Sequence, residues 1–307
     1  MYTRVPIFFL IAALCWPFAE DRATALFGQQ TNPPTRDVRQ ATFDAKPADD
    51  GAANVRTSDS LAAAKIPGAT TPTNGEHPLT PVLKWAKQEV ASIEKDVADY
   101  SATIVSRERV DGKLSEYGST AVKIRHRPLS IYAGVLSPED QKGNEAIYVE
   151  GRNDGKLLGH TTGFTGRLVG TVSLDPAGST AMKDQRHPIT ELGMLALCRR
   201  LVQYAENDIR YSESNVRFLH GAKVEGRPCN CIEIVHPVPR ANFQFHIVRL
   251  FVDEQLKVPV RYEQYDWPAE PGAAPELVEE YTYVNVKLNN GFGDSDFDVQ
   301  NPNYAFP

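Results

Sequence analysis

Basic residues, cysteines and long apolar runs are all scarce in this sequence. The 307 residues include 33 lysines and arginines against 39 acidic residues, a net charge of −6, which argues against a broad nucleic-acid-binding surface. The apolar run at residues 7–14 is too short to span a membrane, which takes about 20 residues. Four cysteines are too few for disulfides to be the main support of the chain. With 41% hydrophobic and 23% charged residues, the composition instead indicates a folded chain with a hydrophobic core.

The amino-terminal segment has the pattern of an export signal. Arg4 precedes the apolar run at 7–14, and Ala23-Thr24-Ala25 supplies the small residues that a signal peptidase requires, so we expect cleavage before Leu26. We therefore predict a signal peptide at residues 1–25 and a periplasmic or secreted mature chain. Membrane contact is expected only through this peptide before cleavage. A retained membrane anchor is the alternative, and the proline and charges that come after the run argue against it.

Cleavage would leave three cysteines, Cys198, Cys229 and Cys231. An odd number allows at most one internal disulfide. Cys229 and Cys231 alternate in a predicted strand, so both thiols point to one face. Two alternatives stay open: a disulfide from Cys198 to one of this pair, or buried free thiols. A zinc site is disfavoured because it needs four ligands and no histidine has a matching spacing.

The composition changes at residue 79. In residues 26–78, Gln, Asn, Pro, Thr and Ala are frequent and large apolar side chains are rare, so we predict a disordered tether. From residue 79 onward, apolar residues recur every three or four positions, the spacing of an amphipathic helix with Thr80 as its N-cap and Pro81 in its first turn. Residues 79–307 are therefore predicted to form the folded domain.

This domain is predicted to consist of short antiparallel strands interrupted by one helix. Turn signals such as Asp111-Gly112 separate the strand-forming stretches, and no crossover helices of the kind that a parallel sheet needs lie between them. The first series of strands ends with one at 168–174. Residues 188–204 form an inserted helix that is apolar over most of its girth. Residues 243–252 form a strand whose second half is apolar on both faces, so a helix must cover it.

Two neighbouring strands, 248–253 and 258–263, carry a more specific pattern. They resemble the strand–turn–strand signature D…P-x-R-x-E of the lipoprotein-carrier superfamily of LolA, LolB and the related RseB sensor domain. The tail at 296–306 resembles the ending of an uncharacterised family of secreted bacterial proteins, a domain of unknown function placed near that superfamily. The resemblance covers residues 79–307. It implies an α+β fold, an incomplete antiparallel β-barrel (LolA-like) with helices packed on its concave face, which holds acyl chains or binds another envelope protein.

Short catalytic and metal-binding motifs are absent from the sequence. It has no H-E-x-x-H zinc motif and no G-x-S-x-G nucleophile elbow, so we predict no enzyme activity, no metal and no cofactor. The alternating carboxylates at 294–298 resemble a calcium loop, but Val299 and Ala305 stand where glycine and glutamate are needed. A hydrolase with a dispersed catalytic site, which needs no local motif, is the least favoured alternative.

Apolar strand faces beside an apolar helix predict a binding function. In an open barrel plugged by a helix, the space between helix and sheet is a natural pocket for a lipid or a lipoprotein acyl chain. An envelope protein is the alternative partner, as in an interaction or sensor module, and no nucleic acid is expected. A filled core is the alternative role for each candidate lining residue. These candidates are Met194, Leu197, Phe243, Phe245 and Ile247.

Overall fold

The computed structural model describes residues 75–307. The predicted signal peptide at 1–25 lies outside these residues, as does the predicted tether at 26–78 up to residue 74. The helices are α1 (Thr80–Asp96), α2 (Gly163–Val169) and α3 (Met194–Asp208). The strands are β1 (Asp99–Val110), β2 (Lys113–Leu114), β3 (Gly118–His126), β4 (Leu129–Ser137), β5 (Glu145–Val149), β6 (Leu157–His160), β7 (Val172–Leu174), β8 (Asn215–Val224), β9 (Arg227–Val235), β10 (Ile247–Asp253), β11 (Pro259–Asp266) and β12 (Glu276–Leu288).

All of these strands belong to one antiparallel sheet that does not close on itself. The strand order is β7-β6-β5-β4-β3-β1-β12-β11-β10-β9-β8, and the two-residue β2 pairs with β1 beside this path. The first and last strands of the domain pair in the middle of the sheet, with Tyr100 opposite Leu288. β7 and β8 are the outermost strands. The predicted incomplete antiparallel barrel is confirmed.

Two hairpin turns depend on residues with positive φ. Asp111 and Gly112, between β1 and β2, have φ values of 49° and 75°. Glu225 and Gly226, between β8 and β9, have φ values of 51° and 77°. Two consecutive positive φ values are typical of the type I′ turn, whose twist matches that of paired strands. The turns therefore hold each hairpin in register.

The two long helices lie antiparallel to each other on one face of the sheet, which we call the inner face. Near the end of α1, Glu94 pairs with Arg199 of α3 at 2.5 Å. Earlier in α1, Lys87 pairs with Glu206, near the end of α3, at 2.7 Å. The main hydrophobic core lies between these helices and the sheet and includes the fully buried Trp85. The predicted helical cover of the concave face is confirmed.

Both long helices begin at residues other than those predicted. Thr80 is the first helical residue of α1, and Leu79 takes the N-cap position. The helix predicted at 188–204 begins only at Met194, because residues 189–191 form a separate 3-10 turn and Gly193 has a φ of 116°. A φ of this sign interrupts a right-handed helix.

Two predicted strands are partly wrong. In the strand predicted at 168–174, residues 168–169 end the short helix α2, and only Val172–Leu174 pairs with the sheet. The strand predicted from residue 243 begins at Ile247. The ring of Phe243 instead stacks on His236, with 3.9 Å between the ring centroids, in the loop that precedes β10.

Gly193 allows α3 to start close against the sheet. The Tyr100 hydroxyl on β1 accepts a hydrogen bond from the backbone N–H of Met194 at 3.0 Å. A Cβ atom on Gly193 would lie 2.6 Å from the same hydroxyl oxygen. We expect Gly193→Ala to lower the free energy of unfolding, measured in urea, by about 1–3 kcal/mol. Gly151→Ala is the control, because Gly151 has a φ of 76° but open space around it. Equal losses in the two variants would show that crowding against Tyr100 contributes nothing.

Candidate functional site

An open groove lies at one end of the sheet, between the end of β12 and the tips of the β8–β9 and β10–β11 hairpins. Its volume is about 250 Å³. Most of its walls are apolar, and a few polar groups are added by residues of the hairpin tip and of β12. The apolar side chains are Val224, Leu256, Val260, Tyr283, Val284 and Val286, and the polar ones are Glu225, Arg227 and Asn285.

Local backbone geometry shapes this groove. Asn285 has a φ of 56° and lies in a β-bulge, where β12 has one residue more than its partner strand β1. A bulge bends its strand and redirects the neighbouring side chains. On the opposite side, Glu225 and Lys257 have φ values of 51° and 57° in the two hairpin turns. Positive φ values are uncommon outside glycine and cluster at functional sites.

Asp253, the aspartate of the strand–turn–strand signature, positions two residues that line the groove, Leu256 and Arg227. Its carboxylate accepts hydrogen bonds from the backbone N–H groups of Gln255 and Leu256, both at 2.8 Å. These bonds set the turn that places Leu256 in the groove wall. The carboxylate also pairs with the guanidinium of Arg227. Burial raises the pKa of Asp253, but the hydrogen bonds outweigh burial and lower this pKa overall, so the ion pair holds Arg227 at the groove.

The inner face of the sheet carries a group of buried charges beside a small cavity. The cavity, of about 30 Å³, lies between the segment that precedes α3 and the strands β1 and β12, and it has room for a water molecule or two. The Glu279 side chain is fully buried. Its carboxylate lies 3.1 Å from Arg186 Nε, 2.8 Å from His187 Nε2 and 3.4 Å from Arg200 Nη1.

Glu108 lies opposite Glu279 on the neighbouring strand. It accepts hydrogen bonds from the backbone N–H of Arg186, at 3.0 Å, and from the Tyr281 hydroxyl. Burial, followed by the charge of Glu279, raises the pKa of Glu108 to about 7. Burial also acts to raise the pKa of Glu279, but His187 and two arginines outweigh it and lower that pKa. Because the cavity is so small, these charges are suited to fixing the segment before α3 rather than to binding a substrate.

Comparison with protein families identifies the domain. A family model described as a protein of unknown function, DUF1571, matches residues 97–306, from just before β1 into the tail. The chain belongs to the DUF1571 family. The predicted resemblance to an uncharacterised family is thereby confirmed. None of the curated proteins matches the sequence.

Several solved structures are similar to this DUF1571 chain at low sequence identity. Lipoprotein LppX of Mycobacterium tuberculosis is 14% identical, with a TM-score of 0.40, and the match covers 71% of this chain and 100% of that one. A LolA superfamily protein of Nitrosomonas europaea is 12% identical, with a TM-score of 0.26 and coverage of 69% and 96%. A DUF1329 family protein of Desulfovibrio piger is 12% identical, with a TM-score of 0.35 and coverage of 70% and 97%. At these identities the similarity says nothing about ligands, partners or activity.

The five side chains predicted to line a pocket lie elsewhere in the DUF1571 domain than at the groove. Met194 and Leu197 are buried on α3 in the main core, and Leu197 also lines the small cavity. Phe245 belongs to the same core, and Phe243 packs on His236 in the loop before β10. Ile247 is half-buried at the start of β10. Their contact with a ligand stays a prediction.

Three cysteines of the described residues, Cys198, Cys229 and Cys231, are buried and free in the structure. Cys198 lies on α3 and therefore on the inner side of the sheet. Cys231 lies on the outer side, because it shares a strand face with Glu233, whose carboxylate pairs with the part-exposed Arg249 at 2.8 Å. Burial raises the pKa of all three thiols, that of Cys229 to about 12, so they are not activated nucleophiles.

Within residues 75–307, no group of three or more His, Cys, Asp and Glu side chains is arranged to hold a metal ion. None of the helices in this part of the chain has the length and apolar character needed to cross a bilayer.

Proposed function

We propose that this chain is an exported, non-catalytic binding protein that holds a hydrophobic ligand, a lipid or a lipoprotein acyl chain, in the open groove at the end of the sheet. The observation that supports the proposal is an open groove of about 250 Å³ with mostly apolar walls. Burial of apolar ligand surface contributes about 25 cal/mol per Å². Pockets for drug-sized ligands typically have about 300–1,000 Å³. We therefore expect the groove to take one alkyl chain and to leave the rest of the ligand outside.

The polar groups of the groove suit the other end of such a ligand. The Arg227 side chain is 43% exposed, and Asp253 holds its guanidinium in place. A guanidinium has five N–H donors, so Arg227 keeps donors for a carboxylate or phosphate oxygen. The groove-lining residues include no serine, cysteine or histidine, which supports binding without chemistry. The expected ligand is an amphiphile with an anionic head group.

Titration of the purified protein with a fluorescent fatty acid tests this proposal. Val286→Trp should weaken binding roughly tenfold, because the indole displaces about two methylene groups worth about 0.8 kcal/mol each. Val238→Trp is the matched control, since Val238 is exposed in the loop after β9, at the other end of that strand from the groove. Thermal unfolding of both variants checks that the fold is intact.

Saturable binding that is weakened in Val286→Trp and unchanged in Val238→Trp supports the groove as the ligand site. No uptake by the unmodified protein, or equal uptake by both variants, contradicts it. If uptake fails while cross-linking in the cell envelope captures one protein partner stoichiometrically, the alternative of a protein-interaction module is favoured.

A further inference from the structure

The tail after β12 folds back across the outer face of the sheet. The Asp99 carboxylate accepts hydrogen bonds from three successive backbone N–H groups, those of Asn290 at 2.6 Å, Gly291 at 3.0 Å and Phe292 at 3.1 Å. The next element, the 3-10 turn Asp294–Phe297, is held by basic side chains of β3 and buries Phe297. Asp99 and the basic side chains of β3 thus hold this first part of the tail, and the Tyr304 hydroxyl also donates a hydrogen bond of 2.5 Å to the Asp296 carbonyl of the turn.

Residues 304–306 make further contacts with strands β4, β5 and β6. The Tyr304 ring stacks on Tyr132 of β4, with 3.9 Å between centroids and 7° between planes. The Phe306 ring packs against the His160 ring of β6 in a T-shaped arrangement, with 4.7 Å between the ring centroids. Between them, the backbone N–H of Ala305 donates a hydrogen bond of 2.7 Å to the Glu145 carboxylate. Two rings placed two residues apart therefore face the sheet, as in an extended peptide.

The groups that receive these residues are positioned by the sheet itself. Glu145 and His160 are cross-strand partners on β5 and β6, with 2.9 Å between the carboxylate and Nε2. Their side chains are only 8% and 4% exposed. The Tyr132 hydroxyl donates to the other Glu145 oxygen at 2.7 Å. Lys123 Nζ lies 5.2 Å from the Tyr304 ring centroid. Lys123, Tyr132, Glu145 and His160 form what we call the outer-face peptide site.

Most of the segment that fills this site is exposed to solvent. Pro302, Asn303, Ala305 and Pro307 are exposed, and only Tyr304 and Phe306 are half-buried. The hydrogen bonds of Asp99 involve only residues 290–292, so they remain when residues 302–307 leave the site.

We propose that the outer-face peptide site binds an extended segment of a partner protein with two aromatic residues separated by one small residue, and that residues 302–307 occupy it in cis until such a segment competes. The aromatic rings bind by stacking, and the backbone N–H between them binds the carboxylate, a combination of main-chain hydrogen bonding and side-chain pockets that is general in peptide recognition. None of the residues of this site lines the groove, so the proposal does not depend on lipid binding there.

Fluorescence anisotropy with a labelled peptide of residues 301–307 tests the proposal. The chain truncated after Asn301 should bind this peptide at least roughly tenfold more tightly than the intact chain, because a site that is more than nine-tenths occupied in cis loses apparent affinity in that proportion. A peptide in which alanine replaces both Tyr304 and Phe306 is the matched control and should not bind. Tyr132→Ala in the truncated chain should abolish binding.

A second variant covers the case in which truncation prevents folding. The full-length chain with Tyr304→Ala and Phe306→Ala keeps the whole backbone and should also bind the labelled peptide. If the truncated chain or the double alanine variant folds but does not bind the peptide, the proposal is wrong. It is also wrong if the intact chain binds the peptide as tightly as these variants do. Unfolding of both variants would show that the segment is an integral part of the domain and would also overturn the proposal.

Discussion

Glu279→Ala should lower the free energy of unfolding by about 3–5 kcal/mol, the range for breaking a buried ion pair by removing one partner. The carboxylate of Glu279 is fully buried and faces Arg186, His187 and Arg200. Without it, the Arg200 guanidinium, whose side chain is only 9% exposed, keeps its charge in a site that water barely reaches. Urea unfolding followed by circular dichroism measures the loss.

A matched control lies on the same strand. The Glu276 side chain is 42% exposed and pairs with Arg109 at 3.8 Å, and exposed pairs contribute about 0–1 kcal/mol. Glu276→Ala should therefore change the free energy of unfolding by less than about 1 kcal/mol. An equally small loss for Glu279→Ala would mean that Glu191, 3.5 Å from Arg200, compensates the charge. It would contradict the role of Glu279 as the central anion of the cluster.

The sheet was predictable because its strands alternate and its turns have clear signals. The Asp111-Gly112 turn is where the sequence places it. The prediction failed where tertiary packing overrides the local pattern. Phe243 and Phe245 alternate like strand residues, yet their rings pack around His236 in a loop.

The groove and the buried charges were not predictable from local patterns. Glu279 and Glu280 are adjacent in β12, and alternation places one on the inner face and the other on the outer face. The sequence does not show that three basic groups from the distant segment 186–200 contact Glu279, the glutamate on the inner face. The aspartate of the D…P-x-R-x-E signature gave one usable signal. Asp253 lies at the β10–β11 turn and holds Arg227 and Leu256 at the groove, but the pattern alone does not say what the turn borders.

The same buried cluster should make stability depend on pH through Glu108. Its pKa is raised from an ordinary value of 4.5 to about 7. Between these two values the unfolded chain loses the proton while the native chain keeps it, so the native state binds more protons. The contribution of Glu108 to the free energy of unfolding is therefore fully present below about pH 4.5 and is lost as the pH rises through about 7. This contribution amounts to about 3 kcal/mol.

Glu108→Gln removes this titration and isolates it from other groups. Glu89 and Asp208, whose pKa values burial raises to about 7 and about 6, act in the same direction in both proteins and cancel in the comparison. The stability of Glu108→Gln relative to the unmodified chain should therefore rise by about 2–3 kcal/mol between pH 5 and pH 8. Any constant penalty from the amide group facing the Arg186 N–H is the same at both pH values. Glu116→Gln, in the exposed loop between β2 and β3, is the control for the general effect of replacing a surface carboxylate. A pH-independent offset for Glu108→Gln would mean that Glu108 is ionised throughout, with the nearby arginines outweighing both burial and the charge of Glu279.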